Sequence, residues 1–171
     1  MEGTSVHRMI WIALLAMPAL AGCSQGDASQ WNAQAADELK GKTEQMFRDI
    51  DFGNGTALMA WADKNTVMFD LDMNNNPVTA RGTDDVGKYF AAMQAGVMDK
   101  GLSFRSRIVR QDCAATTVMG VCAVDFDQTI SQGGQSMGPF KYRGTLVAHK
   151  ANGDWQWVHW HSSFRELPPA R

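Results

Sequence analysis

Two histidines stand two positions apart near the end of the chain, at His159 and His161; we refer to them as the histidine pair. If this segment is a strand, both imidazoles lie on the same face, with Cα atoms roughly 6 to 7 Å apart. Such a pair can transfer protons or supply two ligands to zinc, which takes a further protein ligand at about 2 Å. His149, the obvious third ligand, falls toward the far end of the neighbouring strand. We therefore expect the pair to pack against Trp157, hydrogen-bond or contact a ligand, with no metal bound.

The surroundings of the histidine pair depend on the turn at Asn152-Gly153. A two-residue type I′ turn places an open groove beside the pair, with Leu146 and Gly144 directly opposite. A three-residue loop with a bulge at the glycine places Thr145 and Arg143 opposite instead, which gives the pair a charged neighbour. The sequence leaves both arrangements open.

Two aspartates, Asp125 and Asp127, alternate with the apolar residues Val124, Phe126 and Ile130, which is typical of a strand with two different faces. A carboxylate that faces an enclosed apolar pocket has a raised pKa and can abstract a proton. The alternative is that the aspartates lie on a solvated face, and the alternation of polar with apolar residues favours it. The first interpretation makes the chain an enzyme of isomerase or hydrolase type, so catalysis stays open.

Composition limits the organisation and the partners. The chain has 171 residues, of which 44% are hydrophobic and 20% charged. This is enough for one globular domain and too little for two full ones. A net charge of −2 lacks the basic excess that binds a phosphate backbone, so we expect no nucleic-acid partner. No phosphate-binding glycine loop precedes a predicted helix and no Cys-x-x-Cys pair occurs, so we expect no cofactor.

The first residues are typical of a secretory signal. Residues 9–22 form an apolar run that follows a weakly positive start at His7 and Arg8. A membrane-spanning helix needs about 20 apolar residues, so this run is too short to span a bilayer. Its length is that of a signal-peptide core.

The run ends in Leu20-Ala21-Gly22-Cys23, which resembles the lipobox of bacterial lipoproteins. The resemblance implies that residues 1–22 are removed, that Cys23 is acylated, and that residues 23–35 form a polar tether. Several acyl chains on one cysteine bind a membrane far more firmly than a single chain does. Ser24 stands where an aspartate commonly retains such proteins in the inner membrane. The resemblance therefore implies a lipid anchor in the outer membrane, with the domain facing the periplasm.

The other two cysteines, Cys113 and Cys122, flank a predicted hairpin turn. Disulfides persist in the periplasm. A cross-strand bridge requires Cα atoms within about 7 Å, which this spacing permits only if the turn is centred near Thr117. The alternative is two buried free thiols. The sequence does not distinguish the disulfide from the free thiols.

Periodicity predicts helices first and long strands afterwards. The helices are expected at 36–50, from Thr56 and at 83–99, and the strands at 66–71, 102–111, 118–131, 140–150 and 155–164. This order indicates an α+β fold in which N-terminal helices pack on a strongly curved antiparallel sheet. The predicted domain covers residues 36–165, followed by a tail at 166–171. Such a layout leaves a concave pocket.

The closing strands carry the pattern Thr145-x-Val147-x-His149-x-x-x-Gly153-x-Trp155-x-x-Val158-His159-x-His161-x-Ser163. Without a gap, this resembles the closing hairpin of the association (hub) domain of calcium/calmodulin-dependent protein kinase II, with nine of nineteen positions identical. Upstream, Phe69-Asp70-Leu71-Asp72, Gly82 and Tyr89-Phe90 are similar to that domain's acidic strand, glycine and aromatic helix stripe. The resemblance covers about residues 38–163. It implies the cone-shaped SnoaL-like, nuclear transport factor 2-like fold.

Members of this superfamily include isomerases, hydrolases, binding proteins and assembly modules, so the fold alone does not assign a function. We expect the domain to bind an unidentified small, apolar or weakly polar molecule in its cone pocket. The candidate contacts are His159, His161, Arg143, Asp125 and Tyr89. One alternative is a proton-transferring enzyme such as ketosteroid isomerase, and another is an assembly module like the hub domain. The outer sheet face carries long aromatic side chains that need cover, which predicts a homodimer.

Overall fold

A computed structural model describes residues 30–72 and 74–166. In this part of the chain the elements are α1 (Ala33–Asp51), α2 (Gly55–Met59), β1 (Ala62–Leu71), β2 (Pro77–Arg81), α3 (Gly82–Lys100), β3 (Leu102–Ala115), β4 (Met119–Gln132), β5 (Gln135–Ala151) and β6 (Asp154–Phe164). The predicted signal peptide, Cys23 and the residues of the tail after Glu166 lie outside the described residues. Among the helices described, none is long and apolar enough to cross a membrane.

The six strands form one sheet in the order β2-β1-β6-β5-β4-β3. All neighbouring strands run antiparallel except β1 and β6, which are parallel. The α+β class is as predicted, but the sheet is mixed rather than purely antiparallel. The parallel pair joins the first strand to the last one, and β2, α3 and the strands β3 to β5 lie between them in sequence. The short strand β2, which begins at Pro77, covers the other edge of β1 and was not predicted.

Side-chain caps explain why two helices begin earlier than periodicity alone predicts. Asn32 caps α1 by accepting the backbone N–H of Ala35 at 2.8 Å, so the helix starts three residues before the expected position. Asn54, rather than the predicted Thr56, caps α2 in the same way. In α3, Arg81 occupies the N-cap position without a side-chain hydrogen bond, and Thr83 lies within the first turn.

The helices pack on one face of the curved sheet, which we call the inner face; the opposite side is the outer face. The core between helices and sheet is apolar and contains Leu39, Phe47, Met68, Val86, Phe90, Cys122, Val124, Phe126, Leu146, Trp155, Trp157 and Trp160. Gly120 shows how closely α1 approaches the sheet, because an added Cβ there would lie 2.6 Å from the Leu39 side chain. Helix α1 therefore packs closely on this part of β4.

Cys113 and Cys122 are directly opposite each other in the β3–β4 hairpin. Their Sγ atoms form a disulfide, with Cα atoms 4.1 Å apart. The turn lies between Ala115 and Gly120, where a cross-strand bridge requires it. Of the two open alternatives, the structure contains the disulfide.

Removing this disulfide is expected to lower the free energy of unfolding by about 2 to 3 kcal/mol, the loop-entropy estimate for a bridge closing so short a segment. The double variant Cys113→Ala/Cys122→Ala should show this loss in urea denaturation, and reductant should cause it in the parent but not in the variant. A thiol assay on the denatured Cys23→Ala protein should find no free cysteine. Two titratable thiols would contradict the bridge.

Candidate functional site

The inner face of the sheet, α1 and α3 enclose a cavity of about 220 Å³. Its walls carry many aromatic side chains, including Phe47, Tyr89, Phe90, Phe126, Tyr142 and Trp160. An apolar cavity of about 150 Å³ is large enough for benzene, so this one accepts a ring-sized molecule or a short chain. The cavity is the enclosed space that the predicted concave layout requires.

Asp70 is the carboxylate that faces this cavity. It lies on the inner side of β1, and three donors surround it. Oδ1 accepts hydrogen bonds from the Ser162 hydroxyl and from the Leu71 backbone N–H, the latter at 2.8 Å. Oδ2 accepts one from the indole N–H of Trp160 at 3.2 Å. Parallel pairing of β1 with β6 brings these groups together, because both strands present alternate residues to the inner face.

The cavity favours the neutral forms of its ionisable groups. Burial raises the pKa of Asp70, and the hydrogen bonds to its carboxylate and the charge of His161 oppose this only in part. Burial and the nearby charge of Asp70 raise the pKa of Tyr142 to about 12. Burial and the nearby charges of Asp70 and Asp72 raise the pKa of Tyr89 above its ordinary value. Both phenols therefore remain uncharged hydroxyl groups at neutral pH.

The two tyrosines differ in what their hydroxyl groups do. Tyr89 donates to the backbone carbonyl of Leu71 at 2.8 Å, so it fixes the end of β1 next to Asp70. The Tyr142 ring stacks on Phe126 and Phe164, with ring centroids 5.2 and 4.9 Å apart. Its hydroxyl has no hydrogen-bond partner among the described residues, so it can donate to a ligand.

Gly144 makes room for the indole that holds Asp70. It lies on the inner face of β5, where an added Cβ would be 2.3 Å from Cη2 and 2.8 Å from Cζ2 of Trp160. Contacts that short do not occur between real atoms. A glycine is therefore required here if Trp160 is to reach Asp70.

The histidine pair lies on the outer face, and neither predicted arrangement of its hairpin is observed. Asn152 and Gly153 have positive φ values of 54° and 88°, as the two-residue type I′ turn requires. A bulge at Val158 then shifts the register, so the pair lies opposite Val147 and Thr145. This bulge could not be read from the turn residues.

The bulge also separates the pair from Trp157. Before it, Trp155 and Trp157 point inward; after it, Trp160 and Ser162 do. The predicted packing of the pair against Trp157 is therefore wrong. Phe69 of β1 contacts both imidazoles instead, with ring centroids 5.6 and 6.5 Å apart. Burial and the neighbouring imidazole of His161 lower the pKa of His159, which keeps that ring neutral.

Asp125 and Arg143 also lie on the outer face. Asp125 does not face the enclosed cavity, because Val124 and Phe126 occupy the inward positions of β4. Asp125 is partly exposed and pairs with Arg165 at 3.4 Å. Asp127 shares this face but is buried between Arg107 and Arg165, so the predicted solvated face holds for Asp125 and is wrong for Asp127. Asp125, Arg143 and His161 line an open groove. Of the five predicted pocket residues, Tyr89 is the one that lines the enclosed cavity.

Residue types and spacing alone predict neither Asp70 as a cavity residue nor Ser162 and Trp160 as its partners. The signal that was available is the alternation along β1, where Thr66, Met68 and Asp70 share the inward face. A carboxylate in register with buried apolar residues is unusual and marks a position of interest.

A further serine lies in the spacing Gly134-Gln135-Ser136-Met137-Gly138, which matches the nucleophile elbow of serine hydrolases. That motif needs a strand followed by a helix. Here Ser136 begins β5 just after a hairpin turn, and its hydroxyl group is 2.9 Å from that of Ser131. No histidine contacts it in the described part of the chain, so the spacing is coincidental.

The family assignment agrees with this geometry. The SnoaL-like domain family matches residues 40–165, and the chain therefore belongs to that family. A search of curated proteins finds no significant match. The predicted SnoaL-like, nuclear transport factor 2-like fold is confirmed.

Solved structures resemble the chain in fold at low sequence identity. A nuclear transport factor 2-like protein of unknown function from Pseudomonas putida is 14% identical, with a TM-score of 0.65, over 81% of this chain and 100% of that one. A proposed calcium/calmodulin-dependent protein kinase II association domain from Xanthomonas campestris is 17% identical, with a TM-score of 0.61, over 78% and 88%. A ketosteroid isomerase-like protein from Erwinia carotovora is 12% identical, with a TM-score of 0.60, over 80% and 100%. These identities show the shared fold alone.

Proposed function

We propose that this protein is a lipid-anchored protein of the bacterial outer membrane whose SnoaL-like domain, facing the periplasm, binds a small, weakly polar molecule in the enclosed cavity. The observation that carries the proposal is a cavity whose lining combines aromatic and aliphatic side chains with several polar groups, a composition that suits a small, weakly polar molecule. Asp70 and the hydroxyl of Tyr142 are the polar groups that we expect to contact it. Apolar walls supply affinity, and these two groups supply orientation.

The proposal is tested with the neutral fluorescent probe 2-naphthol. Two adjacent residues of β5 on opposite sheet faces provide a matched pair of variants, Tyr142→Phe and Arg143→Gln. The first keeps the stacked ring and removes the hydroxyl, so binding should weaken by about three- to tenfold, as expected for one lost hydrogen bond. The second alters the outer groove and should leave binding unchanged. Loss of binding in Arg143→Gln alone would move the site to the outer face.

A second candidate function is proton transfer to or from a bound carbonyl compound. The observation that favours it is the raised pKa of Asp70 beside a neutral Tyr142 hydroxyl. Asp70 would act as the acid or base, and Tyr142 would stabilise the developing oxyanion. This role falls to Asp70 rather than to the predicted Asp125 or the histidine pair, which lie outside the cavity. Deuterium exchange at the carbon next to a ketone, lost in Asp70→Asn, is the test.

The anchor is part of the proposal and rests on the lipobox-like Leu20-Ala21-Gly22-Cys23. Replacing Cys23 by alanine is expected to release a folded domain from the membrane, because acyl chains on that thiol would hold it there. Membrane fractionation combined with circular dichroism checks this. Ser24→Ala is the control and should remain in the membrane fraction. A folded Cys23→Ala protein from which residues 1–22 have been removed, and which still sediments with membranes, would contradict the anchor.

We also propose a homodimer in which a second copy covers the outer sheet face. A row of apolar side chains crosses that face through Phe69, Val147, Val121 and Met119, three of which are 37 to 53% exposed. Light scattering on the Cys23→Ala protein should give twice the chain mass at micromolar concentration. Val121→Lys should give a monomer, whereas Val118→Lys, the same change at the hairpin turn, should not. A monomeric parent would contradict this expectation.

A further inference from the structure

A second apolar space lies directly behind the cavity. It has a volume of about 310 Å³ and lies between the end of α1, the C-terminal half of α3 and the beginning of β3. We call it the helix-side groove. Five side chains line both spaces and form the partition between them, namely Ile50, Phe90, Met93, Leu102 and Phe104. The cavity and the groove are therefore neighbours that share one wall.

The helix-side groove is open to solvent at its far end. Phe52 and Met98, which line it there, are 84% and 74% exposed. Large apolar side chains with that exposure are costly unless something apolar contacts them. Val97 lines the groove but not the cavity. The apolar surface thus continues from the cavity to the protein surface beside α3.

The partition between the two spaces contains one adaptable side chain. Met93 belongs to it, and methionine is unbranched, with three rotatable bonds and a polarizable thioether that adapts to irregular spaces. We expect a change in the Met93 rotamer to join the two spaces without moving the backbone. A rigid branched residue at this position would not allow that.

The polar groups on the strand side of the cavity are suited to an uncharged ligand. Asp70 of β1 and Tyr142 of β5 line the cavity, and so does Asp72, which directly follows β1. Among the described lining residues, Lys100 supplies the one positive charge. Burial favours the neutral form of Asp70, and the charged carboxylate of Asp72 repels a second carboxylate, so a neutral hydroxyl or carbonyl group fits best beside them. The groove beyond the partition is suited to an apolar tail.

We infer that the ligand is an elongated, uncharged amphiphile such as a long-chain alcohol or ketone. Its polar head hydrogen-bonds to Asp70 and Tyr142, and its alkyl tail passes Met93 and lies in the helix-side groove. This inference rests on the proposed function, because it names the ligand class of the same cavity.

A series of straight-chain alcohols from 1-hexanol to 1-dodecanol tests the inference, with binding to the full chain carrying Cys23→Ala measured by calorimetry. Each added CH₂ that is buried contributes about 0.8 kcal/mol, so affinity should rise by up to about fourfold per carbon along the series. In Val97→Trp the indole fills the groove, and the rise should stop at a shorter chain while 1-hexanol binds as before. Ala92→Trp places the same side chain on the exposed side of α3 and should match the parent.

The outcomes separate this inference from the proposed function. If 1-hexanol binds and its affinity depends on Tyr142, but affinity does not increase with chain length, the proposed position of the tail in the groove is wrong and the cavity site is still supported. If Val97→Trp behaves like Ala92→Trp throughout the series, the tail does not enter the groove. Stronger binding of a fatty acid than of the alcohol of equal length would overturn the uncharged head. Absence of binding by every alcohol would contradict both the ligand class and the cavity site.

Discussion

Replacing Gly144 by alanine is expected to lower the free energy of unfolding by about 1 to 3 kcal/mol, the usual cost of forcing an extra methyl group into a packed core. The added Cβ would lie 2.3 Å from Cη2 of Trp160, so the indole must move. When it moves, its hydrogen bond to Asp70 is lost and the cavity changes shape. Binding of 2-naphthol should therefore be lost together with stability.

Urea denaturation of Gly144→Ala measures the effect, and Gly41→Ala is the control. Gly41 lies within α1, where an added Cβ meets nothing within 4 Å. Alanine is a better helix former than glycine, so this control should stabilise the protein by up to about 1 kcal/mol. Equal stability of the two variants would show that Trp160 is not packed against the backbone of β5.

The free energy of unfolding is expected to decrease with rising pH because of Asp70. The variant Asp70→Asn should lack this part of the pH dependence. The pKa of Asp70 is raised in the folded protein, so the folded state binds the proton more tightly than the unfolded chain does. The contribution of Asp70 to the free energy of unfolding is complete below the ordinary aspartate pKa of about 3.9. It is lost as the pH rises through the raised pKa of Asp70 in the folded protein. One proton gives a slope of at most about 1.4 kcal/mol per pH unit.

Denaturation curves between pH 4 and 8 test this prediction. Asp112→Asn is the matched control, because that carboxylate lies on the outer face with 61% of its side chain exposed. The control should keep the slope of the parent, whereas Asp70→Asn should flatten it. A parent and an Asp70→Asn variant with the same pH dependence would contradict the buried carboxyl group.

Much of the fold follows from the sequence because its signals are local. Alternation along β3 to β6 and helical spacing in α1 and α3 reflect burial on one face, and the Asn152-Gly153 turn reflects backbone preferences. The parallel pairing of β1 with β6 is not local. Asp70 and Trp160 lie 90 positions apart in the sequence and meet only through the pairing of β1 with β6. No pattern within either strand indicates that contact.

The candidate site was harder to predict for two physical reasons. A single bulge at Val158 reverses the face of every residue after it, so the histidine pair moves outward and Trp160 moves inward. The bulge depends on packing, not on the chemistry of the turn. Asp125 was a reasonable candidate by residue type, but the sheet face decides which aspartate meets the cavity, and Asp70 lies on the inner face whereas Asp125 lies on the outer one.

The most direct test of the cavity site is a high-resolution crystal structure of the protein purified without dialysis, so that a bound molecule is retained. The cavity site predicts continuous electron density within hydrogen-bond distance of Asp70 and of the Tyr142 hydroxyl. Density confined to the outer groove beside Arg143, or a cavity that holds ordered water alone, would contradict it.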